Sequence, residues 1–325
     1  VTQEDERLRA LADQIAETRI IRDARKVDVA KYADFPDAHL LRSPEAFRDD
    51  IIELFESPGC RGDLAPWPRF KEKLQFRPHE TTAWVGYSAS FKTTLLMELM
   101  TSLACRKIRV AIASLEMPAK ITLVQAIRQA SAIPSPSVGT IDYALAVLAK
   151  GMVIYDVTGS VKPRMLIAVM NYCALELGIK HFMLDNLSAF LSVDNDKSGM
   201  TQQFIGDAIS VARTTGMHVH MVAHCKKPEH SDESRIPNRH DLIGTSMVTN
   251  LVDNVNIIWR DRNKEEDPGA GSGRGDIVVK VDKQKHWGFE GMIPMWRHAQ
   301  VARFTDEQLS GVSPFLPKKA SDENT

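Results

Sequence analysis

The segment GYSASFKTT, residues 86–94, sets Gly86, Tyr87, Ser88, Ala89, Ser90 and Phe91 between the apolar run TTAWV at 81–85 and a helical stretch opening with Lys92, Thr93 and Thr94. A turn between strand and helix aims successive backbone N–H groups and the positive helix end at one point, which suits a polyphosphate. A lysine there neutralises terminal phosphate oxygens, and a hydroxyl such as that of Thr93 ligates Mg²⁺. The pattern GxxxxGK[ST] has glycine where this chain has Phe91, so the segment is a near match. Taken alone, it is equally a serine-rich turn with an exposed lysine.

Three further residues stand just past apolar runs: Glu116 after IRVAIAS (108–114), Asp185 after IKHFML (179–184) and His224 after MHVHMVA (217–223). An aspartate at such a point holds Mg²⁺ or caps the next turn. The glutamate of ASLEMP is a general base for an attacking water or a residue favoured by the dipole at a helix start. His224 is a satisfied histidine at the core edge, or a group that reads the terminal phosphate and relays its loss to the following loop. Each is ambiguous by itself. Their conjunction favours phosphate chemistry, because ligands of open α/β sheets gather at the carboxyl ends of strands and all the candidates fall there.

To bring them together the chain must alternate strands and helices, and it does. Short apolar runs at 81–85, 108–114, 151–157, 179–184, 217–223, 254–259 and 276–282 are interleaved with helical segments at 92–105, 118–131, 163–177 and 200–215. This rhythm predicts an α/β fold, a mainly parallel sheet flanked by helices, over residues 75–310. Ahead of it, residues 1–74 read as a helical linker region, with a charged helix over 1–25 and an amphipathic one over 44–56 whose apolar side is Phe47, Ile51, Ile52, Leu54 and Phe55. The Gly- and Pro-rich stretch 57–70 marks the approach to the core near residue 75. Residues 261–275 read as a mobile loop and 311–325 as a tail, disordered over LPKKASDENT.

Composition narrows the alternatives. Lys and Arg number 41 against 42 Asp and Glu, so net charge does not announce a nucleic-acid partner and any such contact must come from local loops or assembly. The four cysteines, Cys60, Cys105, Cys173 and Cys225, form no CxxC pair and suggest neither zinc nor a disulfide framework, which fits a reducing cytoplasm. No apolar run approaches the roughly 20 residues that cross a bilayer, so no membrane role is expected.

With these blocks in order, the sequence resembles the DnaB-like replicative ring helicases, above all the helicase half of phage primase-helicases, over about residues 45–305. GYSASFKTT is similar to that family's P-loop and ASLEMP to the block holding its catalytic base. HFMLDNLSAFL is similar to its Mg²⁺ strand and HVHMVAHCKKP to its sensor-histidine block; DLIGTSMVTNLVDNVNIIWR and KVDKQKHWGFEG match two further blocks. The resemblance implies a RecA-like P-loop ATPase that hydrolyses ATP or another NTP with Mg²⁺ in a homo-oligomeric, hexameric ring moving on single-stranded DNA. It implies that Lys283 and Lys285 reach the nucleotide of the neighbouring subunit, and that Arg260 packs on the base with Trp296 or His298 opposite. It further implies that loops at 191–201 and 226–243 grip DNA through Lys226, Lys227, Arg235 and Arg239, that helix 44–56 docks on the adjacent subunit, and that a primase or helicase loader is a partner. Three positions depart from the family: Phe91 for glycine, Lys285 for an arginine finger and Asn250 for glutamine. Lysine lacks the bidentate fork of arginine, so a nucleotide-gated DNA-binding or loading protein with weak hydrolysis is the alternative.

Overall fold

The computed structural model describes residues 42–56, 62–157, 159, 161–187, 195–225, 235–237, 250–262, 264, 275–285, 288–308 and 310–317, with Gln3 and Glu6. The helix expected over 1–25 and most of the loop expected over 261–275 lie outside the described residues, as do 318–325. The chain divides into two units, Val1–Cys60 and Arg61–Thr325.

In the first unit a 3-10 turn, Pro44–Phe47, runs into α1 (Arg48–Glu56). Phe47, Ile51 and Phe55 are exposed along it, and Phe55 is 80% accessible. The second unit begins at residue 61, earlier than the boundary near 75 that Gly and Pro content suggested. The reason is packing: β1 (Asp63–Leu64) pairs antiparallel with β2 (Gln75–Phe76), and Trp67, Phe70, Leu74 and Phe76 are buried in one cluster with Trp84.

The remaining elements are β3 (Thr81–Gly86), α2 (Lys92–Cys105), β4 (Val110–Ser114), α3 (Ala119–Ser131), α4 (Val138–Leu148), β5 (Met152–Ile154), α5 (Pro163–Leu175), β6 (His181–Asp185), α6 (Asn195–Thr215), β7 (His218–His224), β8 (Asn254–Arg260), β9 (Ile277–Gln284), β10 (Gly291–His298) and β11 (Arg303–Thr305). Strands β3 to β11 form one sheet in the order β11-β10-β9-β8-β3-β7-β6-β4-β5. From β8 through β5 all neighbours are parallel. Then β9, β10 and β11 extend the sheet as an antiparallel meander.

Both faces of the parallel part are covered, which is why its strands read as continuous apolar runs. Successive side chains point to opposite faces: Ala83 and Val85 join a core that includes Leu166 and Met170 of α5 and Phe204 and Ala208 of α6, whereas Trp84 joins the core under α2, α3 and α4. At the amino end of the strands the second face turns polar. Trp84 Nε1 donates to His220 Nδ1 (3.2 Å), His220 Nε2 lies 3.1 Å from His181 Nδ1, and His181 Nε2 lies 2.9 Å from Asp63 Oδ2. His218 bridges Thr82 Oγ1 (2.8 Å) and the Arg77 carbonyl (2.6 Å). These buried rings are thereby hydrogen-bonded, as burial demands, and burial holds His218 down at about 3.

Four details differ from the sequence reading. Helix α4, capped by Ser137 accepting from the Thr140 N–H, was not anticipated, nor were β10 and β11. Helix α6 starts at Asn195, taking in much of the segment assigned to a loop. Residues 315–317 of the expected tail are packed: the Phe315 and Leu316 N–H groups donate to the Ala130 carbonyl (2.8 and 3.1 Å), and Tyr143 Oη donates to the Pro317 carbonyl (2.8 Å). Cys105, Cys173 and Cys225 are buried as thiols, and among the described residues no helix is long and apolar enough to cross a membrane.

Candidate active site

The carboxyl ends of the central strands β3, β4, β6 and β7 deliver Gly86, Glu116, Asp185 and His224 to one edge of the sheet. Between β3 and α2 the loop folds over Lys92, whose Nζ donates to the carbonyls of Gly86 (3.1 Å) and Tyr87 (2.7 Å) and to Ser90 Oγ (3.4 Å). Gly86 is required by space: a Cβ there would sit 2.3 Å from the Ile258 carbonyl oxygen and 2.6 Å from Ser90 Oγ. Gly86→Ala is therefore expected to lose about 1–3 kcal/mol of stability through backbone displacement, measured by urea denaturation.

Thr93, in the first turn of α2, donates through Oγ1 to Asp185 Oδ2 at 2.8 Å. The other oxygen, Asp185 Oδ1, is buried with no hydrogen-bond partner. Burial pushes this carboxyl up to about 6 against the pull of Thr93. One hydroxyl and one carboxylate, leaving other positions to phosphate and water, is how Mg²⁺ is commonly held, so the donor set fits that ion. Among the described residues no group of three or more His, Cys, Asp and Glu side chains forms an all-protein metal site.

Asn186 ties the next pair together: its Nδ2 donates to Glu116 Oε1 and lies 3.1 Å from His224 Nε2. His224 Nε2 is 3.8 Å from Glu116 Oε1. Burial, then the neighbouring Lys92, hold the imidazole below its ordinary range. Burial likewise lowers Lys92 to about 8, opposed by Cys225, Asp185 and Glu116. The site is thus built to exclude water from its charges until a ligand compensates them.

Phe91 stands at the N-cap of α2 in the left-handed conformation, φ 65° and ψ 22°. For a residue with a Cβ this costs roughly 1–2 kcal/mol. The ring is held between two guanidinium groups, Arg260 at 4.5 Å and Arg297 at 4.2 Å, with the Phe304 ring 6.3 Å away. Cation–π contacts of this kind contribute about 0.5–1 kcal/mol each at exposed sites, enough to offset much of the strain. Arg260 Nη1 also donates to the Ala89 carbonyl (3.1 Å) and Arg262 Nη2 to that of Ser88 (3.4 Å).

The structure thus gathers Gly86, Ser88, Ala89, Ser90, Phe91, Lys92, Thr93, Glu116, Asp185, His224 and Arg260 at one edge. Thr94 follows in α2, its carbonyl accepting from Gln129 Nε2 at 3.0 Å. Lys283 and Lys285 lie elsewhere, beyond the amino end of β8, where Lys283 Nζ donates to the carbonyls of Asn250 (3.1 Å) and Val252 (2.6 Å) and Lys285 Nζ pairs with Asp253 (3.4 Å). Arg235 is exposed; Lys226, Lys227 and Arg239 lie outside the described residues. Trp296 and His298 alternate with Arg297 along β10 and so face away from Phe91. Sequence reading passed over Asn186, Arg262 and Arg297. Asn186 was adjacent to Asp185 in the quoted block, whereas nothing local marked the two arginines.

This arrangement, a phosphate-type loop beside a central strand with carboxylates at the neighbouring strand ends, is the RecA-like ATPase fold. More particularly, it is the fold of the ATPase domains of DnaB-like replicative helicases. The structure is similar to the solved ATPase domain of a phage helicase, with a TM-score of 0.70 and 15% identity over 81% of this chain and 98% of that one. It is also similar to a DnaB-like replicative helicase described with its interactions with primase, with a TM-score of 0.68 and 15% identity over 93% of this chain and 76% of that one. Residues 73–230 match the model of an AAA domain family, and no curated protein matches in sequence.

Proposed function

We propose that this chain is a nucleoside-triphosphate-driven motor of DNA replication, in a phage or prophage setting, that assembles as a ring, with six subunits by family likeness, and translocates on single-stranded DNA. The observation that carries the reading is the 2.8 Å bond between Thr93 and Asp185, with Lys92, Glu116 and His224 around it. In this reading Lys92 leaves the loop carbonyls for the β/γ oxygens of ATP. Glu116 takes the proton of a water whose oxygen attacks the γ-phosphorus as the bond to the bridging oxygen breaks. Mg²⁺ held by Thr93 and Asp185 supplies neutralisation of phosphate charge. Asn186, touching both Glu116 and His224, links the base to the residue that senses product.

The assembly half of the reading gives Lys283 and Lys285 to the nucleotide of a neighbouring copy, α1 to docking on the adjacent subunit, and Lys226, Lys227, Arg235 and Arg239 to DNA phosphates. A primase or helicase loader is the proposed protein partner, in the cytoplasm. The second reading, a nucleotide-gated DNA-binding or loading protein with weak hydrolysis, draws on the two lysines being engaged by their own chain at 250–253. The deciding measurement is ATP hydrolysis with and without single-stranded DNA, together with particle mass with and without ATP and Mg²⁺. A ring whose hydrolysis rises with DNA supports the motor; a ring that binds DNA without hydrolysis supports the second reading; a persistent monomer overturns both.

A further inference from the structure

The P-loop pattern needs a left-handed residue before the lysine, a conformation that glycine adopts without penalty and an aromatic residue does not. Here Phe91 adopts it, at φ 65°. The side chain that creates the difficulty is also what the surroundings hold. Arg297 and Phe304 are directly paired residues of the β10–β11 ladder, and both contact the Phe91 ring. The backbone N–H of Arg297 is fixed in turn by Asp276 Oδ2 at 2.7 Å, whose Oδ1 accepts from Lys264 Nζ at 2.7 Å. From the other side Arg260 covers the same ring at 4.5 Å while donating to the carbonyl of Ala89, itself left-handed at φ 60°.

We propose that Arg297 is a positioning residue for the phosphate-binding loop: by clamping the Phe91 ring against Arg260 and Phe304, it holds the left-handed peptide that glycine would supply unaided. This rests on the nucleotide reading above and goes beyond it, because it gives the antiparallel β10–β11 hairpin a role in ATP affinity. Its signature is conditional. Arg297 matters to nucleotide binding only while residue 91 carries a ring.

The test is calorimetric titration of ATP with Mg²⁺ into the full-length wild type, Arg297→Ala, Phe91→Gly and the double variant, with thermal midpoints recorded without nucleotide. Arg297→Ala is expected to weaken ATP binding about 5- to 30-fold, the factor corresponding to the backbone strain left uncompensated. The same change in the Phe91→Gly background should leave affinity within about twofold of Phe91→Gly alone, since coupled groups fail to add. Unchanged affinity in Arg297→Ala overturns the clamp. An equal loss in both backgrounds also overturns it, by showing that Arg297 meets the nucleotide directly. Should Arg297→Ala fail to fold, Arg297→Lys replaces it, keeping a cation but losing the planar stack; a smaller loss, again confined to the Phe91 background, is then the supporting result. A wild type that binds no ATP overturns the nucleotide reading and the clamp together, whereas ATP binding indifferent to Arg297 overturns the clamp alone.

Discussion

Glu116→Gln lowers ATP turnover by about 10²–10⁴-fold, the usual contribution of a positioned general base, while leaving ATP affinity nearly intact. The amide keeps the shape and can still meet Asn186, which donates to Glu116 Oε1, but it cannot take a proton from water. Lys92→Ala separates the two functions from the other side. Its Nζ is placed among the loop carbonyls within reach of any phosphate seated there, so its loss weakens ATP binding about 10- to 100-fold, the range for a charge-assisted hydrogen bond. Binding by calorimetry and single-turnover hydrolysis distinguish the outcomes. Wild-type turnover in Glu116→Gln would remove this residue from the chemistry, and the second reading would have to find its weak hydrolysis elsewhere. Equal losses of binding in both variants would mean that each merely disrupts the loop.

The parts of this site visible in the sequence were those fixed by position along one strand. The parallel strands β3, β4, β6 and β7 are covered on both faces, so each appears as an unbroken apolar run whose end is marked by the first functional residue. Gly86, Glu116, Asp185 and His224 were found by that logic. Strands β10 and β11 escaped it for a physical reason. In GMIPMWRH only Ile293 and Met295 are buried, Pro294 interrupts the pattern, and partners on both sides come from distant residues. Arg297 could not be seen for the same cause: what makes it functional is a ring more than two hundred residues earlier. Helix α4 was missed because VGTIDYALAVL carries a glycine in its first turn and buries only Ala144 and Leu148, leaving little periodic signal. The boundary at residue 61 was hidden because Trp67, Phe70 and Leu74 lie in a Pro-rich stretch that reads as linker, and only the fold shows that they are core.

Arg303→Met is expected to be the most destabilising single change, at about 3–5 kcal/mol, the range for removing one partner from a buried ion pair. Glu98, inside α2 and fully buried, accepts from Arg303 Nε at 2.7 Å, from the Phe304 N–H at 2.8 Å and from Trp67 Nε1 at 3.3 Å. Arg303 is equally committed, donating to the carbonyls of Gln129 (3.2 Å) and Ser313 (2.8 Å) and lying 3.6 Å over the Phe315 ring. The pair therefore pins the helix that begins at Lys92 to the last strand, and through Phe304 to the ring of Phe91. Its pH dependence has a definite sign. Burial pushes the Glu98 carboxyl up to about 7, against the lowering influence of Arg303. The folded state thus holds its proton more tightly than the unfolded chain, so the group favours folding most below its ordinary value near 4.5. That contribution declines as pH climbs to about 7. Without Arg303 the ionised carboxylate loses its counter-charge, and the deficit of the variant is larger at pH 8 than at pH 5. Paired urea denaturations of wild type and Arg303→Met at the two pH values measure this, and Glu98→Met combined with Arg303→Met should recover part of the loss by removing the stranded charge. A deficit that is the same at both pH values would show that Arg303 acts through its carbonyl and Phe315 contacts and not through Glu98.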